Sequence, residues 1–239
     1  VTPASPVSVV VTSIGPPEQL RRCLAGLSSQ MVRETIVVVG STQDPTDWIA
    51  VEFPHVSVLH LQGRSVPELR WAGVRATHGP IIAATESWMR PASNWCAMLA
   101  DAHARWPDAP AIGGHVVLES HARRLSAGFY LCEYVAFAAP SMADAVHALS
   151  SANLSYKRDR LLAARDILDA GQWETVLHER WRREGHPLRM VAAAVVFRNP
   201  LTGSAAMALR YRHGREYAAE RFPQSARARR MFFATGSLL

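Results

Sequence analysis

The stretch from residue 81 to 91 reads IIAATESWMRP, an apolar run of small and β-branched residues that stops on one carboxylate, Glu86. Ser87, Trp88 and Arg90 follow it. An unbroken run of this kind forms a strand buried on both faces. Such a strand ending on a lone acid is either an ordinary strand end, its glutamate turned to solvent, or the lip of an active site. The other chemistry in the composition is cationic. The formal net charge is +6, and of the 26 basic residues only Lys157 is not an arginine. The planar guanidinium fork suits phosphate oxygens, so the balance points to nucleic acid, an anionic membrane face or a phosphorylated small substrate. The densest cluster, RYRHGREYAAERFPQSARARR, occupies residues 210–230.

The elements that would position these groups follow from the hydrophobic pattern. VSVVVTS (7–13), ETIVVVGS (34–41), VSVLHL (56–61) and PIIAATES (80–87) read as strands. Between them, IGPPEQLRRCLAGLSSQ reads as a helix begun by Pro16 and Pro17 with Leu20, Leu24 and Leu27 on one face. SVPELRWAGVRAT opens another that ends near His78-Gly79, and WCAMLADAHARWPDA is amphipathic, with Leu99 and Trp106 inward and His103 structural. Apolar strands alternating with amphipathic helices make an α/β protein with a mostly parallel sheet. After residue 113 the pattern loosens. GGHVVLES and LRMVAAAVVF read as strands, SSANLSYKRDRLLAA as a strand feeding a helix, and AGFYLCEYVAFAAP as an aromatic-rich helix or irregular segment. ETVLHERWRREG reads as a helix stopped by Gly185. Ligands of open parallel sheets sit beyond the carboxyl ends of the strands, where loops and helix N-termini converge. The candidates are therefore Thr12-Ser13, Gly40-Ser41 and Thr85-Glu86-Ser87. A Rossmann dinucleotide site is excluded, because only Gly15, followed by two prolines, stands after the first strand; a P-loop is excluded for want of its lysine.

A chain of 239 residues, 49% hydrophobic and 19% charged, buries a real core as one large domain or one domain with an appendage. It contains no run of about 18 apolar residues, and no secretory signal pattern opens it. Cys23, Cys96 and Cys132 are odd in number, far apart and without metal-ligand spacing, which predicts free thiols in a reducing cytosol.

Six short motifs in order resemble the family-2 glycosyltransferases of the GT-A fold. VSVVVTSIGPPEQLRRCLAGL matches the family's first strand and P-x-x-L-x-x-x-L helix, and IVVVGSTQD approximates its V-V-D-x-G-S-x-D. RWAGVRATHG (70–79) is similar to R-N-x-G-x-x-x-A-x-G, and TESWMRPASNW stands where an acidic DxD precedes Pro and Trp. ANLSYKRDRL is similar to N-x-x-x-R-R-x-x-L, and WETVLHERWRREGHPL to E-D-x-x-L-x-x-R-L-x-x-x-G. The resemblance covers residues 7 to about 198. It implies an inverting transfer of a sugar from a nucleotide-sugar (UDP-, GDP- or dTDP-linked) to a hydroxyl acceptor.

The same resemblance assigns roles. Glu86 would help hold a divalent ion, Mn or Mg, against the donor diphosphate. Ser87 replaces the usual second acid, and Arg198 stands about where the family often has a histidine, so metal dependence would be weak, with arginines taking part of the leaving-group charge. Glu174 falls on the family's catalytic acid and would be the base that deprotonates the acceptor, with Trp173 on the acid before it; base and Glu86 would stand on opposite sides of the sugar. A helix N-terminal glutamate favoured by the macrodipole is the plainer alternative for Glu174. His178, one turn on, would bind acceptor, orient Glu174 or simply lie at the surface. Thr12, Ser13 and Thr85 would line the nucleotide, with Val38 or Val39 where an aspartate often meets the nucleobase. Arg70 would reach the nucleotide or pair locally with Glu68. In the tail, Arg212, His213 and Arg215 match a lid over the diphosphate or form a solvated basic helix.

Trp71, Trp88 and Trp95 are core residues or lining for a sugar or lipid acceptor. MFFATGSLL after RARR resembles the cytoplasmic flank of a membrane helix, so the protein is expected at the inner face of the cytoplasmic membrane. The domain expectation is 1–204 for the GT-A-like domain and 205–239 for the basic helical tail. A nucleic-acid partner is not expected, since no aromatic residues interleave with a basic surface pattern. The rival from another class is a non-catalytic nucleotide-sugar-binding or scaffold protein.

Overall fold

In the computed structural model, residues 5–40, 46–119, 124–138 and 145–200 are described, with 203–204, 207–208, 210–211 and 214–215. The valine run makes strand β1 (Val7–Ser13), buried along its whole length. Helix α1 (Pro17–Leu27) starts on proline, where the missing N–H costs nothing, and buries Leu20, Cys23, Leu24 and Leu27. Strand β2 (Glu34–Val39), the short helix α2 (Asp47–Glu52) and strand β3 (Val56–His60) follow. Helix α3 (Val66–Ala76) is capped by Ser65, whose hydroxyl accepts from the Glu68 N–H while the Glu68 carboxylate accepts from the Ser65 N–H. Then come β4 (Ile81–Glu86), β5 (Met89–Pro91), α4 (Trp95–Arg105), β6 (Ala111–Leu118), α5 (Arg124–Tyr134) and a 3-10 turn (Val135–Phe137). The rest is β7 (Ala145–Val146), β8 (Asn153–Lys157), α6 (Arg158–Ala163), α7 (Arg165–Asp169), α8 (Glu174–Arg183) and β9 (Leu188–Arg198).

The sheet runs β3-β2-β1-β4-β8-β6-β9-β5, with β7 on β9. It is parallel from β3 to β4 and antiparallel where β8 joins β4 and β6 and where β9 joins β5 and β7. The expected run of parallel strands thus holds for the first half, and the second half is paired antiparallel. Val10, Val38, Leu69, Val74, Ile82, Tyr156, Trp173, Leu177 and Trp181 belong to one buried cluster. The short α2, α7, β5 and β7 have too few residues for a period to show in sequence.

By their contacts the residues divide into two units. One comprises Val1–Val117 and Tyr134–Asn199, which holds almost the whole sheet; the other comprises Leu118–Glu133 and Pro200–Leu239, which holds most of α5 and the described helical residues of the basic segment. No helix among the described residues is long and apolar enough to cross a membrane.

The fit of α3 on the sheet matters because α3 carries Arg70. Gly73 lets the helix approach: a Cβ there would stand 2.4 Å from Val10 Cγ1 and 3.0 Å from Val38 Cγ2. Gly73→Ala should therefore destabilise the fold by about 1–3 kcal/mol, although alanine in a helix is worth about 1 kcal/mol over glycine. Urea unfolding of the two proteins checks this; an equally or more stable variant would show that the helix has room to retreat.

Candidate active site

Strand register sets the floor of the site. Ser13 on β1 pairs with Val39 on β2, and Thr12 with Glu86 on β4, so the ends of three parallel strands lie side by side. Thr12, Ser13, Val39, Thr85 and Glu86 are all buried. The Thr85 hydroxyl donates to the Ala152 carbonyl at 2.8 Å and that of Thr12 to the Thr85 carbonyl at 3.4 Å, so both are engaged within the sheet.

Arg70 is the centre of the site. Its side chain is 2% exposed; Nη2 donates to Glu86 Oε1, and Nη1 donates to Glu174 Oε2 at 3.2 Å. The local pairing with Glu68 does not form. Residues two apart on a helix point to different faces, and Glu68 is held by Arg64 at 3.0 Å and by the Ser65 cap. The Ser151 hydroxyl, brought up by the antiparallel β8, also donates to Glu86 Oε1 at 3.4 Å. Glu86 Oε2 is buried and finds no partner among the described residues. The two glutamates thus meet on one guanidinium rather than facing one another across an open crevice. Two carboxylates this close repel strongly in a low dielectric, and the cation between them relieves it.

Glu174 is the first residue of α8, where the helix dipole favours an anion, and its side chain is 28% exposed. Beneath it lies an aromatic cluster. Tyr156 meets Trp173 edge-on at 5.8 Å and packs against His178 and Trp181 at 5.9 and 5.7 Å. Trp173 and His178 are buried there, and His178 Nε2 lies 3.2 Å from the Tyr156 hydroxyl. Both form the wall under α8, where the sequence had suggested contact with diphosphate or acceptor, or a surface position for His178. Burial pushes the His178 imidazole down to about 3, and pushes the Tyr156 phenol up, with the Glu174 charge adding to it.

The His178 shift has a consequence for stability. Unfolded, the imidazole takes a proton below about 6.5; folded, it stays neutral to about 3. The unfolded state binds more protons in this window, so stability falls as pH drops through 6.5 toward 3. From pH 7 to 5 the loss from this one group is about 2 kcal/mol. His178→Gln should flatten that part of the profile, read from urea midpoints at the two pH values; identical profiles for variant and wild type would remove His178 as the cause.

Arg198 ends β9 opposite Met89 and is 5% exposed. Its guanidinium lies 5.6 Å from the Trp88 ring centre and 5.8 Å from that of Tyr134, and Nη1 donates to the Asn199 carbonyl at 3.3 Å. Among the described residues no carboxylate pairs with it. Arg215, in the other unit, is exposed and lies over Tyr211 at 5.9 Å; Arg212 and His213 lie outside the described residues. Trp71 and Trp95 are core residues whose indoles donate to Asp169 and Asn153, both at 2.7 Å. His103 is buried against the Ser155 hydroxyl. Cys23 and Cys96 are buried free thiols, Cys132 an exposed one. Sequence reasoning overlooked Ser151 and Asn199. Neither carries a charge, and both gain their place from strand pairing, so nothing local marks them.

The mixed sheet and its flanking helices match the GT-A type of fold. Among solved structures the chain is similar to the mannosyltransferase PcManGT of Pyrobaculum calidifontis in complex with GDP-Man and Mn²⁺, with TM-score 0.62 and 17% identity over 94% of this chain and 66% of that one. It is similar also to residues 1–349 of S. aureus TarS in complex with UDP-GlcNAc, with TM-score 0.59 and 13% identity over 97% of this chain and 71% of that one. The chain spans slightly less than two thirds of the mannosyltransferase. No family model and no curated relative matches the sequence. The resemblance drawn from the six motifs holds at the level of the fold.

A divalent ion needs about six or more oxygen ligands, carboxylates foremost. Among the described residues no three of His, Cys, Asp or Glu come together to hold one. The single strand-end acid already shares one oxygen with a buried guanidinium, and Ser87 beside it is a weak ligand. The described residues do not fit a divalent ion.

Proposed function

We propose that this chain moves a sugar from a nucleotide-sugar to a hydroxyl acceptor with inversion, Glu174 acting as the base. The observation that carries the reading is a carboxylate that still touches solvent, at a helix N-terminus, tied through one buried arginine to the acid that ends β4. Arg70 holds Glu174 Oε2, which leaves Oε1 for the acceptor proton. The deprotonated oxygen attacks the anomeric carbon, the carbon–oxygen bond to the diphosphate breaks, and its electron pair leaves with the diphosphate. The nucleotide, UDP, GDP or dTDP, would lie over Thr12, Ser13, Val39 and Thr85. Arg198 would meet the leaving charge. The basic segment suits the anionic inner face of a membrane, and residues 205–239 are read as a tail distinct from the catalytic domain.

One observation favours a second reading, a nucleotide-sugar-binding scaffold: both acids are already compensated by Arg70. Incubation with UDP-, GDP- and dTDP-hexoses separates the two. A transferase releases nucleoside diphosphate in the presence of acceptor or, slowly, of water, and NMR of the product shows the anomeric configuration inverted. A protein that binds a donor and releases nothing is the scaffold.

A further inference from the structure

We infer that the donor diphosphate is held by an anion site formed at Ser87, Arg198 and Asn199, and that this site binds it without a divalent cation. The inference rests on the nucleotide-sugar reading and names how that site meets its phosphate groups.

A buried cation without a counterion is costly, and proteins keep one where a ligand supplies the missing charge. Among the described residues Arg198 is such a cation: it is 95% buried, it faces rings, and its hydrogen bond goes to the Asn199 carbonyl. Beside it, both ends of the Asn199 amide are buried and find no partner, and the Ser87 hydroxyl is buried and likewise unpartnered, among the described residues. Native proteins satisfy nearly all such groups, so three neighbours with spare donors mark a place for a ligand. They are brought together by the strand ends. The Asn199 N–H donates to the Trp88 carbonyl at 3.0 Å, Arg198 pairs with Met89, and Ser87 precedes Trp88. Gly15, on the loop after β1, borders the same place; a Cβ there would stand 3.7 Å from Ser87 Oγ. The site therefore lies beside the strand end proposed for the nucleotide.

The chemistry selects an anion. Guanidinium, Asn199 Nδ2 and the Ser87 hydroxyl all donate hydrogen bonds, which phosphate oxygens accept, and Asn199 Oδ1 is left for a hydroxyl of the ligand. Glu86 does not serve as a counterion to Arg198, since its charge is shared with Arg70. The acid here meets Arg70, and the diphosphate would meet Arg198.

Thermal shift and calorimetry with UDP, GDP, dTDP, uridine, guanosine, thymidine and pyrophosphate, each in EDTA and in Mn²⁺, test this. The expected result is that at least one nucleoside diphosphate stabilises the protein in EDTA as well as in Mn²⁺, that its nucleoside binds far more weakly, and that pyrophosphate alone competes. Arg198→Met should weaken the diphosphate about 30-fold or more while raising the Tm of the free protein by about 2–4 °C, because an uncompensated buried charge has gone. Arg198→Lys, which keeps charge and loses the fork, should weaken it about 10-fold; this variant decides the matter if the Met protein does not fold. Binding that requires Mn²⁺ overturns the inference and leaves the nucleotide-sugar reading standing. Binding of no nucleotide in either buffer overturns both. Arg198 variants with undiminished affinity make the residue a packing element and overturn the site.

Discussion

Glu174→Gln should lower the rate of sugar transfer by about 10³-fold and change nucleoside diphosphate affinity by less than about threefold. The size follows from general-base catalysis, which supplies about 10²–10⁴-fold when the base touches the reacting proton. Glutamine keeps the length of the side chain, and its carbonyl oxygen still accepts from Arg70 Nη1, so the local geometry survives. What it loses is the ability to take a proton. The fold should tolerate the change, because the Glu174 side chain is 28% exposed and its ion pair is 3.2 Å long; partly solvated pairs are worth about 1 kcal/mol or less. Single-turnover measurement of nucleoside diphosphate release in wild type and variant gives the answer. Turnover within about threefold of wild type would mean that another group removes the proton, and a silent wild type would select the scaffold reading instead.

The second large effect is on stability. Arg70→Met should cost about 3–5 kcal/mol, the usual penalty for breaking a buried pair and leaving one charge behind. Glu86 would be that charge: it is 4% exposed, and its second oxygen already has no partner among the described residues. Glu174 can turn toward water, so it adds less. The paired variant Arg70→Met/Glu86→Met should recover most of the loss, since replacing a buried ion pair by apolar side chains is often neutral. Urea denaturation of the two single variants, the double variant and wild type measures the coupling directly. If Arg70→Met costs under about 1 kcal/mol, or the double variant is no better than the single, the two side chains are not energetically linked, and the centre of the site has been drawn wrongly.

The contrast between these two residues shows where sequence reading reached its limit. Glu86 was visible as a candidate because an apolar run stops on it. Glu174 was visible because a helix begins on it and a short motif resembles a family pattern. Their mutual position was not visible. The sequence suggested a sugar between them, whereas the fold puts Arg70 there, bonded to residues 16 and 104 positions away. Arg70 itself had a nearby acid in Glu68, and helical geometry sends the two to different faces. Trp173 and His178 looked like ligand-facing residues by their proximity to Glu174, and packing of α8 on Tyr156 turns both inward.

By itself the sequence determined the longer strands and helices of the first half and the α/β class, because alternating apolar strands and amphipathic helices are local, periodic signals set by which side chains leave water. It also pointed to the strand ends, Glu86 among them, as the candidate site. Only the tertiary structure decided that β8 enters antiparallel and brings Ser151 to Glu86, that one guanidinium joins two acids, and that Arg198 is buried with no carboxylate partner among the described residues. Those facts depend on which distant segments pair and how closely they pack. A charge in a chain carries no mark of the partner that folding will bring to it.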